Sequence, residues 1–89
     1  MRRLQQTKQF SKDIKKARKR GKDLDKLRVI VSQLLEDKKL QDRHRDHALI
    51  GDWNGSRDCH IEPDWLLIYT LEDDVLRLER TGTHSDLFD

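Results

Sequence analysis

His60, Asp64 and His84 are the residues of this chain best suited to chemistry. They lie in the runs Cys59-His60-Ile61-Glu62-Pro63-Asp64-Trp65 and Arg80-Thr81-Gly82-Thr83-His84, at the ends of short apolar stretches. Imidazoles beside a carboxylate suit general acid–base catalysis, because histidine titrates near neutrality with an ordinary pKa of about 6.5. Trp65 and Phe88 are candidates to stack a base, and Arg57, Arg77 and Arg80 are candidates to hold phosphate. Those parts match RNA cleavage. The ribose 2′-hydroxyl is a built-in nucleophile, so the protein need supply only a base, an acid and a cation.

These groups converge only if the elements carrying them pair correctly. Trp65 to Leu71, rich in aromatic and aliphatic residues, reads as a strand. Arg57 to Ile61 reads as the strand before it, with Glu62-Pro63-Asp64 as the turn. Val75 to Thr81 returns after Glu72-Asp73-Asp74. A hairpin on Pro63-Asp64 sets His60 opposite Leu67, and a turn near Asp73 sets Leu67 opposite Glu79. One face then collects Cys59, Ile61, Leu66, Ile68, Leu76 and Leu78. The other collects Asp58, His60, Trp65, Leu67, Tyr69, Arg77, Glu79 and Thr81. His60, Asp64 and His84 reach the same end of the sheet in this register, and would do so after a slip of one residue.

Upstream, Arg3-Leu4-Gln5 fits a short edge strand. Thr7 fits an N-cap, after which Phe10, Ile14 and Ala17 recur at helical spacing, with Gly21 as the stop. Leu24, Leu27, Val31 and Leu34, widened by Ile30 and Leu35, form the stripe of a second helix. Residues 38–47 are polar and irregular and read as a loop. A short strand is expected near Ala48-Leu49-Ile50, with a turn at Asn54-Gly55. The expected fold is α+β: an N-terminal strand and a helical hairpin packed on one face of a small, mainly antiparallel sheet.

The 89 residues make one domain, 1–89, with a thin core, since only 34% are hydrophobic and 40% are charged. No apolar run approaches the roughly eighteen residues needed to span a membrane, and the N-terminus lacks a secretory signal. The single cysteine excludes an internal disulfide, so the cytoplasm is the expected location. Residues 1–28 hold twelve Lys/Arg against three Asp/Glu (net +9), and residues 29–89 hold seven against fourteen (net −7). That asymmetry fits a polyanion or acidic partner, and equally a solvated helix face.

Blander readings stand beside the sharp ones. Trp65 and Tyr69, taken singly, fit sheet packing, Arg77 fits an ion pair with Glu79, and Cys59 fits an inert core position. His44 reads as a surface or hydrogen-bonding residue. His47, Cys59, His60, Asp64 and His84 contain zinc-ligand types. However, adjacent Cys59 and His60 point to opposite sides of a strand, and no paired motif occurs, so no metal or other cofactor is expected. There is no phosphate loop and no serine or cysteine nucleophile motif.

One run carries a resemblance: His47-x-Leu49-x-Gly51-x-Trp53-x-Gly55-x-Arg57-Asp58-x-His60-Ile61-Glu62-Pro63-Asp64-Trp65-Leu66-Leu67-Ile68-Tyr69. It closes with Glu79-Arg80-Thr81-Gly82-Thr83-His84 and Leu87-Phe88. Over nearly its whole length the chain resembles the YafQ branch of the RelE/ParE toxin superfamily. The resemblance implies a RelE-like fold and a bacterial type II toxin that cleaves mRNA in the ribosomal (30S) A site without a metal. It implies a cognate antitoxin, with operator DNA bound only by the toxin–antitoxin complex. By the same similarity, His47, His60, Asp64 and His84 are the active-site residues, with Trp65 and Phe88 near the RNA. His84 is the proton donor to the leaving 5′-oxygen. The base is open between His60 and His47, with Asp64 orienting or assisting. The basic segment Lys8 to Arg28 then meets ribosomal RNA, the antitoxin, or both. Competing readings are a gyrase-binding toxin of the same fold, which has no use for three histidines at one sheet end, and a zinc-bound or otherwise non-catalytic nucleic-acid module.

Overall fold

The computed structural model describes residues 2–88. After strand β1 (Arg3–Gln6), Thr7 converts the chain to helix α1 (Lys8–Lys19) by accepting the Phe10 N–H on its hydroxyl. The helix ends at Gly21, whose φ of +78° suits the left-handed turn required there. Gly21 N–H donates to the Arg18 carbonyl and Lys22 N–H to the Ala17 carbonyl, which caps the last turn. Asp23 then caps helix α2 (Leu24–Leu35) through the Asp25 N–H. These boundaries agree with the periodicity.

Four further strands follow: β2 (His47–Ala48), β3 (Arg57–Glu62), β4 (Trp65–Leu71) and β5 (Val75–Gly82). The sheet order is β1-β5-β4-β3-β2, with β1 parallel to β5 and every other pairing antiparallel. This is the expected α+β architecture. Phe10 and Ala17 of α1 and Leu27, Ile30, Val31 and Leu34 of α2 pack with one face of the sheet in a single core. No helix among the described residues is long and apolar enough to cross a membrane.

The face assignment of β4 is corrected. Glu62 pairs with Trp65 beside the turn, but a bulge then shifts the ladder, so His60 faces Leu66 and Cys59 faces Leu67. A second irregularity at Glu79 sets Leu67 opposite Thr81. Strand side chains alternate, so a one-residue shift exchanges faces. Trp65, Leu67 and Tyr69 therefore join Cys59, Ile61, Leu76 and Leu78 under the helices. Leu66 and Ile68 lie on the opposite face with Leu87. Cys59 is fully buried, which pushes its thiol pKa up and keeps it inert, as expected.

Three features lacked a strong sequence signal. Strand β2 is shorter than expected and starts at His47. A turn of 3₁₀ helix, Asp42–His44, organises the loop before it. A short helix, α3 (His84–Phe88), also follows β5, where the sequence suggested no element. Finally, α1 buries a carboxylate: Asp13 accepts from Arg80 Nε (2.8 Å), Arg80 Nη2 (3.1 Å) and the Thr81 N–H (3.1 Å). A buried charge is tolerable when so fully paired, and this one ties α1 to β5.

Candidate active site

The open face of β3, the β3–β4 turn and the start of α3 meet at one end of the sheet. His60 projects from β3 on the side away from the helices. Asp64 sits in the turn. His84 opens α3 immediately after β5. Asp64 Oδ1 accepts both the His84 backbone N–H (2.9 Å) and its ring Nδ1–H (2.6 Å). The carboxylate therefore fixes the imidazole twice, leaving Nε2 as the outward nitrogen. Those same bonds, the backbone one first, hold the Asp64 carboxyl below the usual carboxylate range. The His60 and His84 rings stand 5.5 Å apart, edge to face at 70°.

His60 is half-buried, and burial lowers its pKa below the ordinary histidine value. Asp58 opposes that shift, whereas a charged His84 adds to it. A neutral imidazole near pH 7 can accept a proton. His44 donates Nδ1–H to the His60 carbonyl (2.7 Å), which anchors the 42–45 turn against β3 and makes His44 a hydrogen-bonding residue as expected.

His47 pairs with Asp58 across β2 and β3. Its Nδ1 lies 2.6 Å from the Arg45 carbonyl and 3.3 Å from Asp58 Oδ1. A carbonyl can only accept, so Nδ1 carries the hydrogen, and Nε2 has no hydrogen-bond partner among the described residues. Among the described residues, Asp58 Oδ1 is a buried side-chain oxygen that accepts no hydrogen bond. Burial raises the Asp58 carboxyl pKa, with His47, His60 and His84 opposing in that order. Sequence reasoning placed Asp58 beside His60 but gave it no role. A lone aspartate in a strand carries no catalytic signal until its neighbours are known.

A group whose folded pKa is raised stabilises the fold while protonated, below its unfolded pKa of about 3.9, and that contribution is lost as pH rises through the folded value. At neutral pH the buried Asp58 anion therefore opposes folding. Asp58→Asn is expected to raise Tm at pH 7 by roughly 2–6 °C, a gain that shrinks as pH falls through the raised folded pKa and is gone below about pH 4. The same change moves the His60 NMR titration further down, because it removes the carboxylate that holds the ring up. A lower Tm at pH 7, or an upward His60 titration, would contradict this account.

A cleft of about 550 Å³ opens at this end, lined by Lys26, Arg43, Arg45, His44, His60 and His84 with residues 61–63. His47 and Asp64 do not line it and flank it instead. Among the described residues Arg43 and Arg45 form no ion pair, whereas Lys26 meets Glu62 at 2.9 Å. The cations expected from the sequence lie elsewhere. Arg80 is bound to Asp13, and Arg57, at the far end of β3, donates to Asp46 (3.2 Å). Each is already neutralised by a carboxylate. Trp65 is only 1% exposed, with its ring in the core and Nε1–H donating to Thr81 Oγ1 (2.9 Å), so it has no free face for a base. Phe88, on α3, is 45% exposed and keeps one.

Residues 2–89 match the family described as bacterial toxin of type II toxin–antitoxin system, YafQ. The mRNA interferase toxin YafQ of Escherichia coli strain K12 is 52% identical over 81 residues, covering 90% of this chain and 88% of that protein. The crystal structure of YafQ from Escherichia coli BL21(DE3) matches with a TM-score of 0.95 at 47% identity over the whole of both chains. YafQ from the E. coli DinJ–YafQ complex matches at 0.93 and 48%, again over both full chains. The fold, and a family match running almost end to end, place this chain in the YafQ family of bacterial type II toxins.

Proposed function

We propose that this chain is an mRNA interferase: a ribosome-dependent, metal-free endoribonuclease that cuts mRNA in the A site. The observation that carries this reading is the pair of imidazoles, His60 and His84, facing one cationic cleft 5.5 Å apart. His60, kept neutral by burial, takes the proton of the 2′-hydroxyl. The resulting alkoxide attacks the adjacent phosphate. His84, held through Nδ1 by Asp64, donates from Nε2 to the leaving 5′-oxygen. A 2′,3′-cyclic phosphate and a free 5′-hydroxyl result. RNA supplies the nucleophile, so the scheme asks for a base, an acid and a cation. His47, fixed beside Asp58, adds a second imidazole near the base, and Phe88 offers a ring to a nucleobase.

Arg43 and Arg45 fit the phosphate-binding role first given to Arg57 and Arg80, because they line the cleft and, among the described residues, form no ion pair. Arg43→Glu and Arg45→Glu are each expected to raise the half-saturating concentration about tenfold and to flatten the salt dependence, with the maximal rate little changed. Arg57→Ala should raise it less than threefold. An Arg57→Ala effect larger than either reversal would restore the first assignment.

The complex of the Escherichia coli relative with DinJ supports a cognate antitoxin here. Binding of operator DNA by the toxin–antitoxin complex and a cytoplasmic location belong to the same reading, as does a single domain over residues 1–89, supported by its one sheet. Mapping transcript 5′ ends after brief induction tests the whole. In-frame cuts confined to translated mRNA are expected. Growth arrest with DNA-damage signals and intact transcripts would favour gyrase binding instead.

A further inference from the structure

His84 rides on a helix of five residues, α3, far too short to hold itself in water. Leu87 anchors one side by packing on Leu66 and Ile68. The other side depends on Asp86. Its Oδ2 accepts the Thr83 N–H (3.0 Å), and its own N–H donates to Thr83 Oγ1 (3.1 Å), a reciprocal cap on the first turn. The same carboxylate accepts Arg20 Nη1 on Oδ2 (2.6 Å), Arg20 Nη2 on Oδ1 (3.2 Å) and Lys16 Nζ on Oδ1 (3.1 Å). Only 15% of the Asp86 side chain is exposed. These bonds, Arg20's first, hold its carboxyl far below the usual range. Gly82 makes the arrangement possible, since a Cβ there would lie 2.8 Å from Asp86 Oδ2 and 2.9 Å from its Cβ.

We propose that Asp86 is a positioning residue for the proton donor: it clamps α3 to the basic end of α1 and so fixes His84 against Asp64. Two cations of the basic segment, Lys16 and Arg20, then serve the site from within the chain, apart from any partner they meet. Asp86 itself touches no reacting atom. Its effect passes through the backbone of residues 83–86, which also sets the His84 N–H and ring on one oxygen of Asp64. A misplacement of about 1 Å at a catalytic group can cost two orders of magnitude in rate.

The clamp rests on the proposed nuclease reading, and its test has one arm free of that reading. Single-turnover cleavage of mRNA on programmed ribosomes is measured for Asp86→Ala, Asp86→Asn, Gly82→Ala, Arg20→Ala and the Arg20→Ala/Asp86→Ala double variant. Asp86→Ala should lower the maximal rate about 10–100-fold with less than a threefold change in half-saturation. Asp86→Asn keeps an oxygen for Thr83 and should fall between. Gly82→Ala should behave like Asp86→Ala. Arg20→Ala should cost severalfold in the parent and less than twofold once Asp86 is gone. In the second arm, proton NMR of the free toxin follows the His84 Nδ1–H, which should exchange faster with water in Asp86→Ala. Equal Arg20→Ala costs in both backgrounds, or an unchanged maximal rate in folded Asp86→Ala, would overturn the clamp. If the parent does not cut mRNA, the nuclease reading fails, and unaltered Nδ1–H exchange in Asp86→Ala alone decides against the clamp.

Discussion

His84→Ala is expected to fold, to bind its antitoxin and to cut mRNA about 10³-fold more slowly than the parent, within the range for loss of a general acid. The fold should survive because the His84 side chain is 53% exposed, its ring held by Asp64 and set at 70° to that of His60. An exposed pair of this kind contributes little to stability. Catalysis should not survive. The leaving 5′-alkoxide is a poor leaving group unless protonated as it departs, and His84 Nε2 is the nitrogen that the Asp64 bond turns outward. Growth arrest on induction, 5′-end mapping and co-purification with the antitoxin measure the three expectations together. Full toxicity from a folded His84→Ala protein would remove His84 from the acid role. His60→Ala separates base from acid, because the acid limb of the pH–rate profile should vanish with it. That limb should lie below about pH 6.5 in the parent, since burial lowers the His60 pKa.

The convergence of His60, Asp64 and His84 was legible because it depends on strand order and turn position, which survive a slipped register. Turn chemistry at Glu62-Pro63-Asp64, the N-cap at Thr7 and the 3.6-residue stripes of both helices were equally local and equally readable. What failed was non-local. One bulge between His60 and Glu62 reverses the faces of β4, and an inserted residue in a ladder has no reliable signature in an alternating apolar strand. The run Trp65-Leu66-Leu67-Ile68-Tyr69 is apolar at every position, so its pattern fits either parity. The acidic partners of Arg57 and Arg80 were not legible for a related reason. An arginine's availability depends on which acid reaches it, and Asp13 is 67 residues from Arg80 in sequence. Part of the charge split between the two halves likewise closes on itself: Lys16 and Arg20 pair with Asp86, and Lys22 and Lys26 with Glu62. The cleft-lining pair Arg43 and Arg45 came from a segment with no periodicity, where sequence offers the least.

Trp65 carries the second large effect, and the two readings of it predict opposite results. Its indole is enclosed between the helices and the sheet, with Lys22 Nζ 5.8 Å from the ring centre. Its N–H donates to Thr81 Oγ1, and that hydroxyl passes its own hydrogen to the Leu66 carbonyl (2.6 Å). Trp65→Ala should therefore cost about 3–5 kcal/mol through the cavity it leaves. A domain with a thin core has total stability near the lower end of about 5–15 kcal/mol, so much of that variant should be unfolded at 37 °C. Trp65→Phe keeps most of the packing and loses the N–H, leaving Thr81 Oγ1 without its donor, for about 1–2 kcal/mol and a Tm lower by roughly 5–12 °C. It should nonetheless cut mRNA within about threefold of the parent at 25 °C, because the active-site face is untouched. A stacked base is worth about 1–3 kcal/mol, so a ring that bound RNA directly would reveal itself as a large fall in affinity in a variant that is still folded. Thermal melts and single-turnover cleavage on the same Trp65→Phe sample distinguish the two. Lowered Tm with near-parental cleavage places Trp65 in the core alone, and a tenfold rise in half-saturation at unchanged Tm would return it to the RNA.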